Sequence, residues 1–172
     1  NDFAVILPEG VSSLEITEIM YRPPEGENDN IEFVEVFNNY GAPVNLENFY
    51  FSDGIEYVFS DTLLSPGNYI VITQNSEDFQ SVFGYAPFEW TSGFLDNSGE
   101  AVILRDTLDA VIDSVFYSNE LPWDTLAGGF GPSLTLCDPN EDNSLPESWT
   151  ASTDLAAITQ EGDTIYATPG GG

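Results

Sequence analysis

Residues 31–38 read Ile31-Glu32-Phe33-Val34-Glu35-Val36-Phe37-Asn38, and this stretch decides the fold class. β-Branched and aromatic residues dominate it, which is typical of a strand that packs on at least one face. Because side chains alternate along a strand, Glu32 and Glu35 lie on opposite faces. At least one carboxylate is therefore expected beside packed apolar side chains, either in a cation site or at a strand edge.

Strand and turn signals continue on both sides of this stretch. Upstream, residues 14–21 alternate as a strand through Glu18 until Ile19 breaks the pattern. Either a β-bulge there restores the register, or Glu18 points inward and needs a partner. Downstream, Asp53-Gly54 predicts a tight hairpin turn and Ser65-Pro66-Gly67 a second turn. Further strands are predicted at residues 68–73, 101–105 and 110–117, with a last strand at about 133–137.

One short helix is predicted directly after the strand at residues 68–73. Asn75 is its expected N-cap, Asp78 stands at N3 as in a capping box, and Gly84 ends it. Its apolar face is formed by Phe79, Val82 and Phe83. Many short strands separated by turn residues predict an all-β protein, a β-sandwich or barrel with one short helix.

Composition restricts the possible functions. The chain has 172 residues, which suggests one domain, and a formal net charge of -28 from 30 acidic residues against Arg22 and Arg105. Such a surface repels phosphate, so nucleic acid is not an expected partner. The absence of histidine excludes Ser-His-Asp catalysis within the chain and His-ligated zinc. No apolar run is long enough to predict membrane insertion.

Several motifs, taken in order, resemble the lamin tail domain in its bacterial extracellular form. They include Ile16–Tyr21 followed by Pro23-Pro24, the central stretch Glu32–Asn38, Phe51–Gly54, Leu64–Gly67, Asn97–Glu100, Val111–Val115, Gly131–Leu134 and Asp142–Ser144. The resemblance covers about residues 12–152.

The resemblance implies an immunoglobulin-like β-sandwich that acts as a non-catalytic module of a larger bacterial protein, secreted or on the cell surface. We therefore expect no enzyme activity, a monomeric domain, and a protein or glycan partner. The expected divisions are a lead-in at residues 1–11, the domain at 12–168 and the start of a linker at 169–172. A signal peptide is expected outside this sequence.

Two groups of oxygen ligands predict calcium sites, because Ca²⁺ prefers carboxylate, amide and carbonyl oxygens. The first group is Glu18, Asp29, Asn30, Glu32 and Glu35. The second is Asp138, Asn140 and Asp142, whose spacing resembles the start of a calcium loop without its glycine or its final glutamate. The alternative for both is structural: carboxylates that accept hydrogen bonds at a bulge or edge, and Asx turns in a loop.

Two other features have competing interpretations. Asp113, considered with Glu120 and Asp124, interrupts an apolar strand and is expected to accept hydrogen bonds from a loop. The alternative function is a carbohydrate-binding module, with Trp90 as the free aromatic ring for stacking on sugars. Trp123 and Trp149 are expected to pack in the core instead.

Overall fold

The computed structural model describes residues 14–24, 30–159 and 162–171. The predicted lead-in and Asp29 lie outside the described residues. Within these ranges the strands form two main sheets and two small ones. The larger sheet contains, in spatial order, β13 (Trp149–Ala151), β12 (Leu134–Leu136), β1 (Leu14–Met20), β2 (Phe33–Asn38), β7 (Tyr69–Thr73) and β8 (Phe88–Glu89). The second contains β11 (Val111–Phe116), β10 (Ala101–Arg105), β4 (Tyr50–Asp53), β5 (Ile55–Val58) and β9 (Ser92–Gly93). The small pairs are β14 (Leu155–Ile158) with β15 (Thr164–Tyr166), and β3 (Val44–Asn45) with β6 (Leu63–Leu64).

The two main sheets pack face to face, as predicted for an all-β immunoglobulin-like sandwich. Their shared core is apolar, with Val34, Val36 and Ile72 from the six-stranded sheet and Val102 and Val115 from the five-stranded one. Neighbouring strands run antiparallel apart from the parallel pair β7–β8. Burying these side chains between two sheets supplies the main free energy of folding.

A third layer covers the outer face of the six-stranded sheet. Phe33 and Val71 point to this face and contact Phe79 of the helix α1 (Ser76–Phe83). Ile165 of β15 joins the same cluster. Strand β2 is therefore buried on both faces, which explains why its sequence is so continuously apolar.

Local predictions around these strands are confirmed. The β1–β2 register shifts between Ile16 and Glu18, so a β-bulge lies just before the predicted position, and Glu18 is also buried, as the alternative required. Gly54 has φ of 81° and joins β4 to β5 in the predicted hairpin. Asn75 caps α1 by accepting hydrogen bonds from two backbone N–H groups, and Gly84 ends the helix with φ of 85°.

The prediction that the chain has its last strand near residues 133–137 is wrong. Strands β13, β14 and β15 follow it, each three or four residues long. Strands this short carry too few positions for alternation to be recognised. They form because they pair with β12 and with each other.

Candidate functional site

Buried carboxylates are the unusual feature of this domain. Among the described residues, five acidic side chains are at most 9% exposed: Glu15, Glu18, Glu32, Glu35 and Asp113. Burying a carboxylate is costly unless hydrogen bonds or opposite charges compensate it. The chain has no lysine or histidine, so hydrogen-bond donors must supply most of that compensation.

Glu18 and Glu35 form the most deeply buried pair. They are direct cross-strand partners on β1 and β2, with exposures of 0% and 1%. Cross-strand partners bring their side chains within about 5 Å, so two like charges here repel. Of the first predicted group of calcium ligands, the register brings together Glu18 and Glu35.

Donors from three parts of the chain surround the pair. Glu18 accepts hydrogen bonds from the Ser133 hydroxyl and from the backbone N–H of Thr168, at 2.9 Å. Glu35 accepts one from the Thr17 hydroxyl at 2.7 Å and one from the Gly170 N–H at 2.6 Å. The carboxylate pair thus fastens the end of the described chain onto the sheet.

Burial raises the pKa of both carboxyl groups. The pKa of Glu35 is raised to about 8, first by burial and then by the charge of Glu18, although its hydrogen bonds lower it. Burial also raises the pKa of Glu18, and the negative charge of Asp154 adds to this. One proton is therefore retained by the pair at neutral pH.

An open cleft of about 350 Å³ lies over this region. Its walls include Phe83, Tyr85, Pro169 and Gly171. Burial and the nearby carboxylates raise the pKa of the Tyr85 hydroxyl, so this group stays neutral when the pair titrates.

Glu32 lies on the opposite face of β2 and is separate from the pair. Its Oε2 accepts a hydrogen bond of 2.8 Å from the Leu95 N–H in the core between the sheets. Burial raises the pKa of Glu32 to about 7, and the charge of Glu100 adds to that shift. The predicted placement of Glu32 and Glu35 on opposite faces is confirmed.

Asp113 joins the two sheets. Its Oδ2 accepts hydrogen bonds from the Ile16 N–H at 2.6 Å and from the Asn143 side chain at 2.7 Å. The Ile16 N–H lies next to the bulge in β1, and its acceptor, Asp113, comes from the other sheet. The predicted structural role is confirmed, whereas Asp124 acts elsewhere, capping a 3-10 turn and accepting from Ala151.

The other predicted calcium ligands lie apart. Asn30 donates to Asp78 of the helix at 3.3 Å. Asp138 and Asp142 each accept from the residue two positions later, which makes Asx turns with Asn140 and Ser144. Within the described ranges, no three acidic, cysteine or histidine side chains are grouped to hold a metal ion.

Glu15 is a buried acid that sequence reasoning missed. Its Oε1 accepts from Asn39 at 3.3 Å, while Oε2 is buried and has no hydrogen-bond partner in the described part of the chain. Burial raises its pKa, as do the charges of Asp113 and Asp138. Strand alternation predicts only that Glu15 points to the other face of β1 from Leu14 and Ile16. The neighbouring residues do not indicate that the region of Asn39 and Pro139 covers that face.

The structure corrects the prediction for Trp90. This ring is only 5% exposed, and its Nε1 donates to the Gly93 carbonyl at 3.1 Å. It therefore cannot present a free face to a sugar. Trp123 and Trp149 pack against each other with ring centroids 6.2 Å apart, as expected for core residues.

Comparison with known proteins agrees with the sandwich fold. The family described as Lamin Tail Domain matches residues 8–119. The chain belongs to the lamin tail domain family. The immunoglobulin-like fold of this family is typically non-catalytic. No curated protein matches it.

A solved structure gives independent support for the fold. It is the crystal structure of a DUF4876 family protein from Bacteroides thetaiotaomicron, similar to this lamin tail domain with a TM-score of 0.53 and 14% identity. The similarity covers 92% of this chain and 68% of the other. Among the described residues, no helix is long and apolar enough to cross a membrane.

Proposed function

We propose that this lamin tail domain is a non-catalytic interaction module of a secreted or cell-surface bacterial protein. The observation that carries the proposal is that the buried acids are bound by the domain's own backbone. Glu18, Glu32, Glu35 and Asp113 all accept hydrogen bonds from backbone N–H groups of the domain itself. Carboxylates employed in this way stabilise the fold and are not held ready for proton transfer to a substrate.

The outer face of the five-stranded sheet is the proposed contact surface. The helix and the β14–β15 pair cover the corresponding face of the other sheet, where they meet Phe33. On β11, Val111 is 51% exposed and Phe116 is 68% exposed. Phe116 lies beside Ala101 of β10, and Val111 beside Arg105. Exposed aromatic and aliphatic side chains near an arginine favour a protein partner.

The double substitution Val111→Lys with Phe116→Lys is expected to abolish saturable binding of the labelled domain to intact cells of the source bacterium. Lysines at these positions remove the apolar contact and add charge that must be desolvated. Binding is measured by flow cytometry on cells and repeated on their isolated envelope. Leu63→Lys is the matched control, because Leu63 is 65% exposed but lies in the separate β3–β6 pair. Equal binding by the double variant and the wild type would contradict the proposal.

We also propose that calcium stabilises the domain through Glu15 and the loop that begins at Asp138. The unpartnered Oε2 of Glu15 and the charge of Asp138 nearby support this. Asn39 links the two regions, because its side chain donates to Glu15 and to the Pro139 carbonyl. A cation here would offset repulsion that no lysine of the chain can offset.

Addition of about 10 mM Ca²⁺ is expected to raise the thermal midpoint by about 3–5 °C, as for a weak extracellular site. The comparison is NaCl at matched ionic strength, and EDTA should reverse the rise. Glu15→Gln should remove the shift, whereas Glu77→Gln, an exposed acid at the start of α1, should not. An unchanged midpoint in the wild type rejects calcium binding.

A further inference from the structure

The last described residues, 167–171, form a segment that we call the C-terminal strap. The N–H and the hydroxyl of Thr168 both donate hydrogen bonds to the Glu18 carboxylate, and the Gly170 N–H donates one to Glu35. Ala167 packs into the apolar cluster of the outer layer beside Phe33. The strap therefore covers the carboxylate pair and is bonded to it at Thr168 and Gly170, while the Ala167 N–H donates to the Asp154 carbonyl at 2.9 Å.

We propose that the C-terminal strap is a pH-sensitive latch, which closes over Glu18 and Glu35 while the pair holds one proton and opens once both carboxylates are ionised.

The hydrogen bonds fit one ionised and one protonated carboxyl group. Glu18 receives bonds from the Ser133 hydroxyl and from two donors of Thr168, which suits a carboxylate. Glu35 receives the Gly170 N–H on one oxygen and faces the Thr17 hydroxyl with the other. A hydroxyl can accept as well as donate, so Thr17 can accept the proton of a neutral Glu35.

The other titratable groups that act on the pair supply no positive charge to offset a second ionised carboxylate. Asp154, just before β14, is negative and acts on Glu18. Tyr85, from the loop after α1, is neutral in the relevant pH range because its pKa is raised. Of the two arginines, Arg105 lies 3.7 Å from Asp109, and neither is among the groups that shift the pKa of Glu18 or Glu35. Ionisation of both carboxyl groups thus places two neighbouring negative charges under the strap, and neither arginine is among the groups that act on them.

The direction of the pH effect follows from proton binding. In the closed state the pKa of Glu35 is about 8, whereas a solvated carboxyl group in the open state titrates near its ordinary value of about 4.5. The closed state therefore binds more protons between these values, and rising pH favours opening. Opening should increase up to about tenfold per pH unit over this range and then level off above about pH 8.

Hydrogen exchange of the Thr168 and Gly170 amides, followed by NMR from about pH 5 to 9 and corrected for intrinsic rates, measures this opening directly. In the wild type the opening constant should rise by about 100-fold or more, while the amides of β2 keep their protection. Glu35→Gln retains an acceptor for Gly170 but cannot ionise, so its opening constant should change by less than about tenfold. Glu32→Gln, which removes a buried acid on the other face of β2, should keep the wild-type rise.

Two results would overturn the latch. One is a pH-independent opening constant in the wild type; the other is loss of β2 protection in parallel with the strap, which indicates global unfolding. If Glu35→Gln does not fold, the wild type still decides the question. The carboxyl carbon of Glu35 and the amide of Gly170 should then titrate together near pH 8, and titration of Glu35 below about pH 6 rejects the proposal.

Discussion

Replacing Asp113 by alanine is expected to lower the free energy of unfolding by about 2–4 kcal/mol. The substitution leaves the Ile16 N–H without an acceptor at the bulge and the Asn143 amide without its carboxylate. Both donors are buried between the sheets, so water cannot replace the lost oxygen without opening the sandwich. Urea denaturation at pH 7 measures the change, with the slope m showing whether unfolding stays two-state.

Two matched variants separate the possible causes. Asp113→Asn keeps one strong acceptor, and its cost should be about 1 kcal/mol if hydrogen bonding rather than charge is what matters. Asp138→Ala removes an exposed Asx turn in the same region and should cost less than about 1 kcal/mol. A loss at Asp113→Ala no larger than at Asp138→Ala would show that the link between the sheets adds little stability.

Phe33→Ala is expected to cost about 3–5 kcal/mol, because it empties the centre of the outer layer. Phe33 is fully buried, and its ring lies 5.7 Å from Phe79 and 6.0 Å from Phe83, edge to face with both. Helix α1 has only eight residues, too few to be stable alone, and this contact holds it on the sheet. The helix should therefore lose hydrogen-exchange protection before the strands do.

Phe116→Ala is the control for this experiment, since it deletes the same side chain from an exposed strand position. Its effect on unfolding should be within about 0.5 kcal/mol. If α1 stays as protected in Phe33→Ala as in the wild type, the helix is held by other contacts, and the role assigned to Phe33 is wrong.

Local sequence signals predicted much of the fold. The bulge between Ile16 and Glu18 followed from an interrupted alternation, and the hairpin followed from Asp53-Gly54. Asn75 and Gly84 marked the two ends of the helix. Each of these depends on a few neighbouring residues, whose backbone preferences and periodicity are present in the sequence itself. Strands β13 to β15 were missed because their pairing partners, not their own residues, make them strands.

The candidate site was predicted only in part. The sequence placed Glu18 and Glu35 in one group with Asp29, Asn30 and Glu32, and the register pairs Glu18 with Glu35 alone. The donors that complete the site lie far along the chain: Thr168 is 150 residues from Glu18, and Gly170 is 135 residues from Glu35. No local pattern indicates such a contact. Calcium binding stays a prediction, and Glu15, the ligand proposed from the structure, was in neither predicted group.

The amino-acid sequence alone determined that this lamin tail domain is a two-layered β-structure with a short capped helix, because alternation, turns and caps are local properties. The tertiary structure decided which acids are buried and what they bind. Glu15 and Glu35 stand in similar apolar strands, yet one faces a loop with an unpartnered oxygen and the other holds the C-terminal strap. Burial and pKa depend on segments that meet only after folding, so they cannot be inferred from the residues on either side.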